Sequence, residues 1–249
     1  MRITYDNKTI DFFNFETLPS QIIMGCSGGL DSAAILYLIC KHFPEIEIIP
    51  YTAVDDNYPK HTEATINVDN WFRLNFPDNK IKNLEIFNIN QKDRNIVSDK
   101  TINHYKNTIE SLQTLSSNSV SKTIQLYQVF GEMYGMYPDV IQCLGMTANP
   151  PNPVLKKYGF LHTIESRRTI TTKDGNETLT KTDFHTEYKP FHNVDKKFVA
   201  DIYEKNELME SLFPLTWSCN GSYKDTNAFT EPCKKCFWCH EKKWAFGIW

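Results

Sequence analysis

Short, mainly apolar runs alternate with longer segments of mixed polarity along most of the chain. Four of these runs have the length and the β-branched content of buried strands, and they lie at residues 22–25, 46–54, 84–89 and 140–146. Segments with apolar residues at helical spacing lie at residues 33–43, 62–76, 122–137 and 198–212. Strands that alternate with helices in this way form parallel sheets with both faces covered. The pattern therefore predicts an α/β fold, a parallel sheet with helices on both faces.

Residues 161–188 break this alternation. Threonine-rich stretches flank Lys173-Asp174-Gly175-Asn176, and Asp-Gly between alternating stretches is a signal for a tight β-hairpin turn. We interpret 161–188 as a hairpin inserted into an α/β domain of residues 1–215. The chain then becomes rich in cysteine, so residues 216–249 are interpreted as a small separate unit.

Composition limits the classes of function. With 249 residues and 41% hydrophobic content, the chain can bury a sizeable core. Its formal net charge of -3 provides no general positive field, so we expect no nucleic-acid partner. No apolar run approaches the ~20 residues of a membrane span, and residues 1–20 have no secretory signal pattern. We therefore expect a cytoplasmic protein without a membrane partner.

The segment QIIMGCSGGLDSAAILYLICKHF places a Gly-Gly turn between a strand and a helix. A helix start has unpaired N–H groups and a partial positive charge, and Gly28 and Gly29 would let a phosphate approach the backbone. The hydroxyl groups of Ser27 and Ser32 would add hydrogen bonds. Asp31 fits such a site if Mg²⁺ bridges its carboxylate to phosphate. The segment has neither the lysine of the common P-loop nor the dinucleotide-binding glycine pattern.

Four cysteines near the end of the sequence have the spacing of a metal site. Cys219, Cys233, Cys236 and Cys239 follow the pattern C-x13-C-x2-C-x2-C, and four thiolates suit tetrahedral Zn²⁺. A closed site of four sulfurs leaves no position for water, so such a zinc ion would be structural. An iron–sulfur cluster and metal-free thiols stay open as alternatives, and His240 is interpreted as a bystander.

The segment Ser27-Gly28-Gly29-Leu30-Asp31-Ser32 matches the Ser-Gly-Gly-x-Asp-Ser signature of the PP-loop ATP pyrophosphatases, whose fold is adenine nucleotide alpha hydrolase-like. Enzymes of that family split ATP between the α and β phosphates and hold the pyrophosphate in this loop. Trp217-Ser218-Cys219 and the cysteine cluster extend the resemblance to the 7-cyano-7-deazaguanine synthases. With the interpretation of Asp31 given above, it implies ATP, Mg²⁺ and a structural Zn²⁺ as cofactors.

The resemblance also implies a reaction. Such an ATP-dependent C–N ligase activates the carboxylate of 7-carboxy-7-deazaguanine and adds ammonia; a second activation dehydrates the amide to the nitrile. Lys196 matches the family's lysine at the start of the helix before Trp-Ser-Cys, so we expect catalytic roles for Asp31 and Lys196. The predicted ATP-binding residues are Ser27, Gly28, Gly29, Leu30, Asp31, Ser32, Tyr51, Thr52 and Gly145.

Topology supplies the expected meeting point of these residues. Ligands of open α/β sheets lie beyond the carboxyl ends of the strands, so the segments 27–32, 52–56 and 145–149 should converge. We expect the adenine against the backbone near Tyr51 and Thr52.

Two roles are considered for each of four other charged residues. Asp55 or Asp56 would support Mg²⁺ or lie in a solvated loop, and Arg167 and Arg168 would bind a substrate anion or form an exposed strand pair.

The middle of the chain departs from the family. Residues 56–61 stand where the family has Tyr-Gly-Gln-Arg-His, and 145–153 stand where it has Tyr-Pro-Asp-Cys-Arg. The nucleotide chemistry therefore carries over better than the substrate. The acceptor, the nitrogen source and the oligomeric state, a homodimer included, stay open.

Two other functions are weighed against the ligase. A tRNA thiolase of the same superfamily would use a reactive cysteine, for which Cys26 is the candidate; otherwise Cys26, Cys40 and Cys143 are small buried apolar residues. A non-catalytic zinc knuckle would bind single-stranded nucleic acid through mixed charge and aromatics. Its candidate residues are Lys234, Lys235, Trp238, Lys242, Lys243 and Trp244.

Overall fold

The computed structural model describes residues 1–88, 129–161, 179–181 and 186–249. Its strands are β1 (Arg2–Tyr5), β2 (Lys8–Asp11), β3 (Gln21–Gly25), β4 (Glu47–Val54), β5 (Glu85–Asn88), β6 (Ile141–Cys143), β7 (Leu179–Lys181) and β8 (Thr186–Tyr188). β1 and β2 form an antiparallel pair, and the others form one sheet in the order β5-β4-β3-β6-β8-β7. Neighbours from β5 to β8 are parallel, whereas β7 is antiparallel to β8.

The helices lie on this sheet. They are α1 (Leu30–His42), α2 (Pro59–Asn75), α3 (129–136), α4 (Asn152–Lys157), α5 (Lys196–Lys205) and α6 (Phe237–Phe246), with a 3-10 turn at Phe213–Leu215. On one sheet face Ile22 packs in a large core with α1 and α5, and on the other Ile23 packs with Val129 and Met133 of α3. β3 reads as a continuous apolar run because both of its faces are buried. The predicted α/β fold with helices on a mostly parallel sheet is confirmed.

The four predicted strands are present, although the fourth, predicted at 140–146, covers only Ile141–Cys143. Several helix boundaries differ from the predictions, and α5 begins two residues before the predicted start. α1 and α2 each begin three residues earlier than predicted, α2 at Pro59, where the fixed φ of proline suits a helix start. The predicted helix 198–212 ends at Lys205, since Glu207 has a left-handed φ of 58° and the chain then forms the 3-10 turn. Of the predicted helix 122–137, residues 129–137 are described; 129–136 are helical, and the helix ends one residue before the predicted end.

The predicted hairpin at 161–188 is described only in part. Leu179–Lys181 and Thr186–Tyr188 pair in antiparallel fashion, as a hairpin requires. The Asp174-Gly175 turn, Arg167 and Arg168 lie outside the described residues.

The cysteine segment packs against the α/β core through its helix. Phe246 of α6 lies 5.7 Å from Tyr203 and 5.0 Å from Phe213, between ring centroids, and it belongs to the main apolar core. A substitution that displaces α6 from the cysteine cluster would therefore also disturb the packing of the main apolar core. Among the described residues, no helix is long and apolar enough to cross a membrane.

Candidate functional site

The segment 27–32, called the glycine loop below, joins β3 to α1. Gly28 has a left-handed φ of 67°, and a β-carbon there would lie 2.7 Å from the backbone nitrogen of Thr65. Only glycine fits this position. Gly29 is the N-cap of α1 and has no side chain to cap the first turn. Donors of the first turn are thus left for another acceptor.

The two serines of the glycine loop face each other. The hydroxyl oxygens of Ser27 and Ser32 are 3.2 Å apart, and the Ser32 hydroxyl also donates to the Gly29 carbonyl at 3.2 Å. The Gly29 N–H donates to the Ser27 hydroxyl at 3.3 Å. Both hydroxyl groups are therefore held at the start of α1, as a site for a polyoxyanion requires.

The loop after β6 lies directly against the glycine loop. A β-carbon on Gly145 would lie 2.5 Å from the Ser32 nitrogen, so no larger residue fits without moving the backbone. Two residues on, the buried Thr147 donates from its hydroxyl to Asp31 Oδ2 at 3.4 Å. The predicted convergence of Gly145 with the loop is observed at the carboxyl ends of β3 and β6.

A cluster of three charged side chains lies beside the glycine loop; Lys196 and Glu241 are buried, and Asp31 is partly buried. Lys196 Nζ donates to both carboxylate oxygens of Asp31 at 2.6 Å, and Glu241 Oε2 lies 3.6 Å from the same nitrogen. The side chains of Asp31, Lys196 and Glu241 are 13%, 7% and 1% exposed. The structure thus brings together Asp31 and Lys196, which lie 165 residues apart in the chain.

Lys196 occupies an unfavourable position for a cation. It is the first residue of α5, where the helix carries a partial positive charge, and burial adds a desolvation cost. The Asp195 N-cap offsets part of this, since its Oδ1 accepts from the Lys197 N–H at 3.0 Å. The carboxylates of Asp31 and Glu241 offset the rest. Removing one of these carboxylates without a replacement would leave the buried ammonium with fewer partners, which is costly.

Glu241 is the site residue that sequence reasoning missed. It lies in Cys-His-Glu-Lys-Lys, which has the composition of an exposed helix surface. Phe237 lies four residues earlier on the buried face of α6, and an i, i+4 relation places Glu241 on that face. The sequence signal for Glu241 was therefore a carboxylate at a position that the helical repeat places on the buried face of α6.

The other residues predicted to contact the nucleotide lie in the second half of β4 and in the loop that follows it. Tyr51 and Thr52 are buried within the strand, and the Tyr51 carbonyl accepts from the Cys26 N–H at 2.8 Å. Asp55 follows the strand and accepts from the Asn57 N–H at 3.0 Å, while Asp56 accepts from Asn88 Nδ2. Asp55 is thus bonded within the loop, and Asp56 is bonded to the last residue of β5.

The four cysteines of the C-terminal segment form one cluster. The sulfur atoms of Cys219, Cys233, Cys236 and Cys239 all lie within 4.8 Å of one another. Those of Cys233 and Cys239 are 3.9 Å apart, close to the ~3.8 Å edge of a tetrahedral zinc–thiolate site. Backbone N–H groups point at the sulfurs, those of Gly221 and Cys233 to Cys219 at 3.2 Å. Hydrogen bonds among the thiols lower the pKa of Cys236 and raise the pKa values of Cys219 and Cys239. The cluster fits a structural metal ion with four thiolate ligands, and Zn²⁺ suits this donor set.

The cysteine segment also contacts the rest of the site. The Trp217 N–H donates to the Gly28 carbonyl at 2.8 Å, and His61 Nε2 lies 3.0 Å from the Cys219 carbonyl. His240 is not a member of the cysteine cluster and packs on Tyr158, with ring centroids 4.6 Å apart. The segment therefore closes one side of the glycine loop.

The remaining cysteines are buried and lack the character of nucleophiles. Burial raises the pKa of Cys26 and Cys143 well above the ordinary thiol value and that of Cys40 to about 12. A thiol with a raised pKa carries little thiolate at neutral pH.

The basic residues of the segment are mostly engaged within the protein. Lys234 and Lys235 each lie 3.6 Å from a carboxylate oxygen, of Glu231 and Asp225 respectively. Lys242 Nζ lies 4.4 Å from the ring centroid of Phe213, and desolvation by burial lowers its pKa. Lys243 donates to the Gly247 carbonyl.

A scan against protein-family models found no matching family, and a search of curated proteins found no match. The residues of the site and their chemistry are therefore the basis on which a function is assigned.

Proposed function

We propose that the protein is an ATP-dependent C–N ligase that adenylates a carboxylate and then adds ammonia. The observation that carries the proposal is the buried Asp31–Lys196 ion pair at a strand–Gly-Gly–helix junction. A helix start without a side-chain cap, two hydroxyl groups and a carboxylate provide ligands for phosphates and for a divalent cation. The substrate proposed on the resemblance is 7-carboxy-7-deazaguanine or a closely related carboxylate.

Different residues of the site would bind the phosphates of ATP and the Mg²⁺ ion. N–H groups of the glycine loop and the hydroxyls of Ser27 and Ser32 would bind the β and γ phosphates, which leave as pyrophosphate. Asp31 would hold Mg²⁺, which neutralises phosphate charge when bound. Lys196, already at the loop, would lie against the phosphate oxygens. Adenylation needs position and charge neutralisation more than acid–base help, so this set is sufficient.

The proposed chemistry balances in two activations. A carboxylate oxygen attacks the α phosphorus, pyrophosphate leaves, and ammonia then displaces AMP to give the amide and a proton. In the second activation the amide oxygen attacks the α phosphorus of another ATP, and pyrophosphate leaves again. Loss of AMP with that oxygen, and of the remaining protons, gives the nitrile.

Two observations weigh against the other functions. The raised pKa values of Cys26 and Cys143 do not suit a sulfur-carrying thiolate. The lysines of the cysteine segment pair with carboxylates or pack on rings rather than forming an unpaired stripe.

The test is a product analysis with the zinc-loaded protein. ATP, Mg²⁺ and ammonium are supplied with and without 7-carboxy-7-deazaguanine, and products are identified by mass spectrometry. We expect AMP and pyrophosphate that depend on the carboxylate, with amide and nitrile products. Asp31→Asn should be inactive, and the exposed Asp11→Asn should be active. ADP as the nucleotide product would contradict the proposal, and no stimulation by this carboxylate would remove it as the substrate.

A further inference from the structure

A cavity of about 410 Å³ lies between the 3-10 turn, the cysteine cluster and residues 248–249. Trp217, Trp238 and Trp249 all line it, and we call it the tryptophan cavity. Small-molecule sites have volumes of roughly 300–1,000 Å³ and walls that are mainly apolar and aromatic. Trp249 remains 38% exposed, so the wall of the cavity reaches the protein surface. The cavity therefore has the size and the access that a small organic ligand requires.

The wall of the tryptophan cavity favours a flat ring. Beside the three indoles it contains apolar side chains, among them Met209, Phe213 and Pro214. Aromatic rings attract one another in stacked or edge-to-face arrangements, in addition to the gain from apolar burial. Thr216 and Ser218 add hydroxyl groups, and that of Thr216 already donates to the Phe213 carbonyl at 2.8 Å. A planar aromatic molecule fits this wall better than an aliphatic one of equal size.

Lys242 gives the wall its positive charge. It is the only lysine, arginine, aspartate or glutamate among the described residues that line the cavity. Its Nζ lies 4.4 Å from the ring centroid of Phe213, and no described carboxylate forms an ion pair with it. Lys234 and Lys235 of the same segment each have a carboxylate oxygen at 3.6 Å. A half-buried ammonium without such a partner carries a desolvation cost, which a bound anion would offset.

The cysteine cluster is the other source of charge near Lys242. Cys219 and Cys239 also line the cavity, and their negative charge attracts the ammonium. N–H groups of Gly221 and Cys233 point at the Cys219 sulfur, and a bound divalent ion would take up further charge there. Sulfur is also a weak hydrogen-bond acceptor, whereas a carboxylate forms short, charge-assisted bonds with an ammonium. The sulfurs therefore leave Lys242 able to pair with a carboxylate.

The tryptophan cavity adjoins the glycine loop through Trp217. The Trp217 backbone N–H donates to the Gly28 carbonyl at 2.8 Å, and a β-carbon on Gly29 would lie 4.0 Å from the Trp217 carbonyl oxygen. A molecule in the cavity would thus contact a residue that also borders the proposed phosphate site.

We propose that the tryptophan cavity binds a planar aromatic carboxylate, with the ring against the indoles and the carboxylate paired with Lys242. The ring accounts for the aromatic wall, and the carboxylate accounts for the lysine that has no ion pair. The binding itself needs neither ATP nor the glycine loop. The proposed acceptor, 7-carboxy-7-deazaguanine, belongs to this chemical class, and that link alone rests on the proposed function.

The experiment is isothermal titration of the zinc-loaded protein with three probes, without ATP or Mg²⁺. Indole-3-carboxylate has the ring and the charge, indole-3-carboxamide has the same ring without the charge, and cyclohexanecarboxylate has the charge without a flat ring. We expect indole-3-carboxylate to bind about tenfold more tightly than the amide, because it adds a charged hydrogen bond. It should bind about fivefold more tightly than cyclohexanecarboxylate, because it adds aromatic contacts.

Variants of Lys242 locate the binding. Lys242→Met keeps the aliphatic stem, and it should weaken indole-3-carboxylate about tenfold and leave the amide unchanged. Lys235→Met removes a 78% exposed lysine of the same segment and should bind all three probes as the wild type does. Lys242→Gln provides a second removal of the charge, in case the methionine variant does not fold. Zinc content and thermal unfolding of each variant are measured first.

Four results would overturn the inference. They are no binding of indole-3-carboxylate at millimolar concentration, equal affinity for the three probes, equal weakening of acid and amide by both Lys242 variants, and loss of zinc from both variants. The last result would make Lys242 a counter-charge of the metal site. The predicted probe and variant effects in a protein that forms no AMP would support this inference and count against the proposed function alone.

Discussion

Asp31→Asn should weaken binding of Mg²⁺–ATP by about 100-fold, since one charge pair near 4 Å in a partly buried site is worth up to about 4 kcal/mol. The carboxylate is the only acid that the described structure places within the glycine loop itself. Asparagine keeps its size and can still accept a hydrogen bond from Lys196. Titration calorimetry with Mg²⁺–ATP measures the effect directly.

Measuring the stability of the variant distinguishes a loss of ATP binding from a loss of folding. Lys196 keeps Glu241 at 3.6 Å in this variant, so the loss of stability should stay near 1–3 kcal/mol, roughly the cost of one unsatisfied buried partner. Asp11→Asn, at an exposed carboxylate paired with Arg2, should bind as the wild type does. A Mg²⁺–ATP affinity equal in Asp31→Asn and wild type would remove Asp31 from the site.

Cys233→Ser should remove the bound metal and release α6 from the core. Cys233 is buried, its sulfur lies 3.9 Å from that of Cys239, and it accepts from the Cys236 N–H at 3.3 Å. Loss of a metal ligand removes binding energy that also stabilises the fold, so we expect the melting temperature to fall by about 10 °C. Differential scanning calorimetry and zinc analysis check both effects.

The reactivity of the thiols provides a second test of the cysteine cluster, because the other three cysteines serve as an internal control. In the wild type, chelation should expose four reactive thiols, whereas Cys26, Cys40 and Cys143 stay protected by burial. Cys40→Ala, which removes a buried thiol outside the cluster, should keep its zinc. Full zinc content in Cys233→Ser would show that the cluster is not the metal site.

The local parts of the site could be predicted from the sequence. Residues 21–43 contain a strand, a Gly-Gly turn and a helix in one continuous run, so their geometry is set by neighbours in the chain. The cysteine spacing is equally local. The resemblance supplied Lys196, and the structure places it against Asp31.

The features that could not be predicted from the sequence are those that depend on packing between distant parts of the chain. Glu241 is buried because α6 packs on α5, and nothing in Cys-His-Glu-Lys-Lys specifies that partner. The parallel pairing of β8 with β6 likewise joins residues more than 40 positions apart, such as Ile141 and Thr186, and nothing local in the sequence specifies it. Helix α5 ends at Lys205 although its apolar spacing continues to Leu212. The next residue, Asn206, has side-chain hydrogen bonds with Tyr5, Tyr37 and Lys41, which are distant in the chain.

The most direct test of the proposed adenylation follows the oxygen atoms of the substrate. The zinc-loaded protein is given 7-carboxy-7-deazaguanine labelled with ¹⁸O in its carboxylate, together with Mg²⁺–ATP and ammonium, and the nucleotide products are analysed by mass spectrometry. Attack of the carboxylate on the α phosphorus predicts one ¹⁸O in each AMP and none in pyrophosphate. Unlabelled AMP, or label in inorganic phosphate beside ADP, would contradict the account.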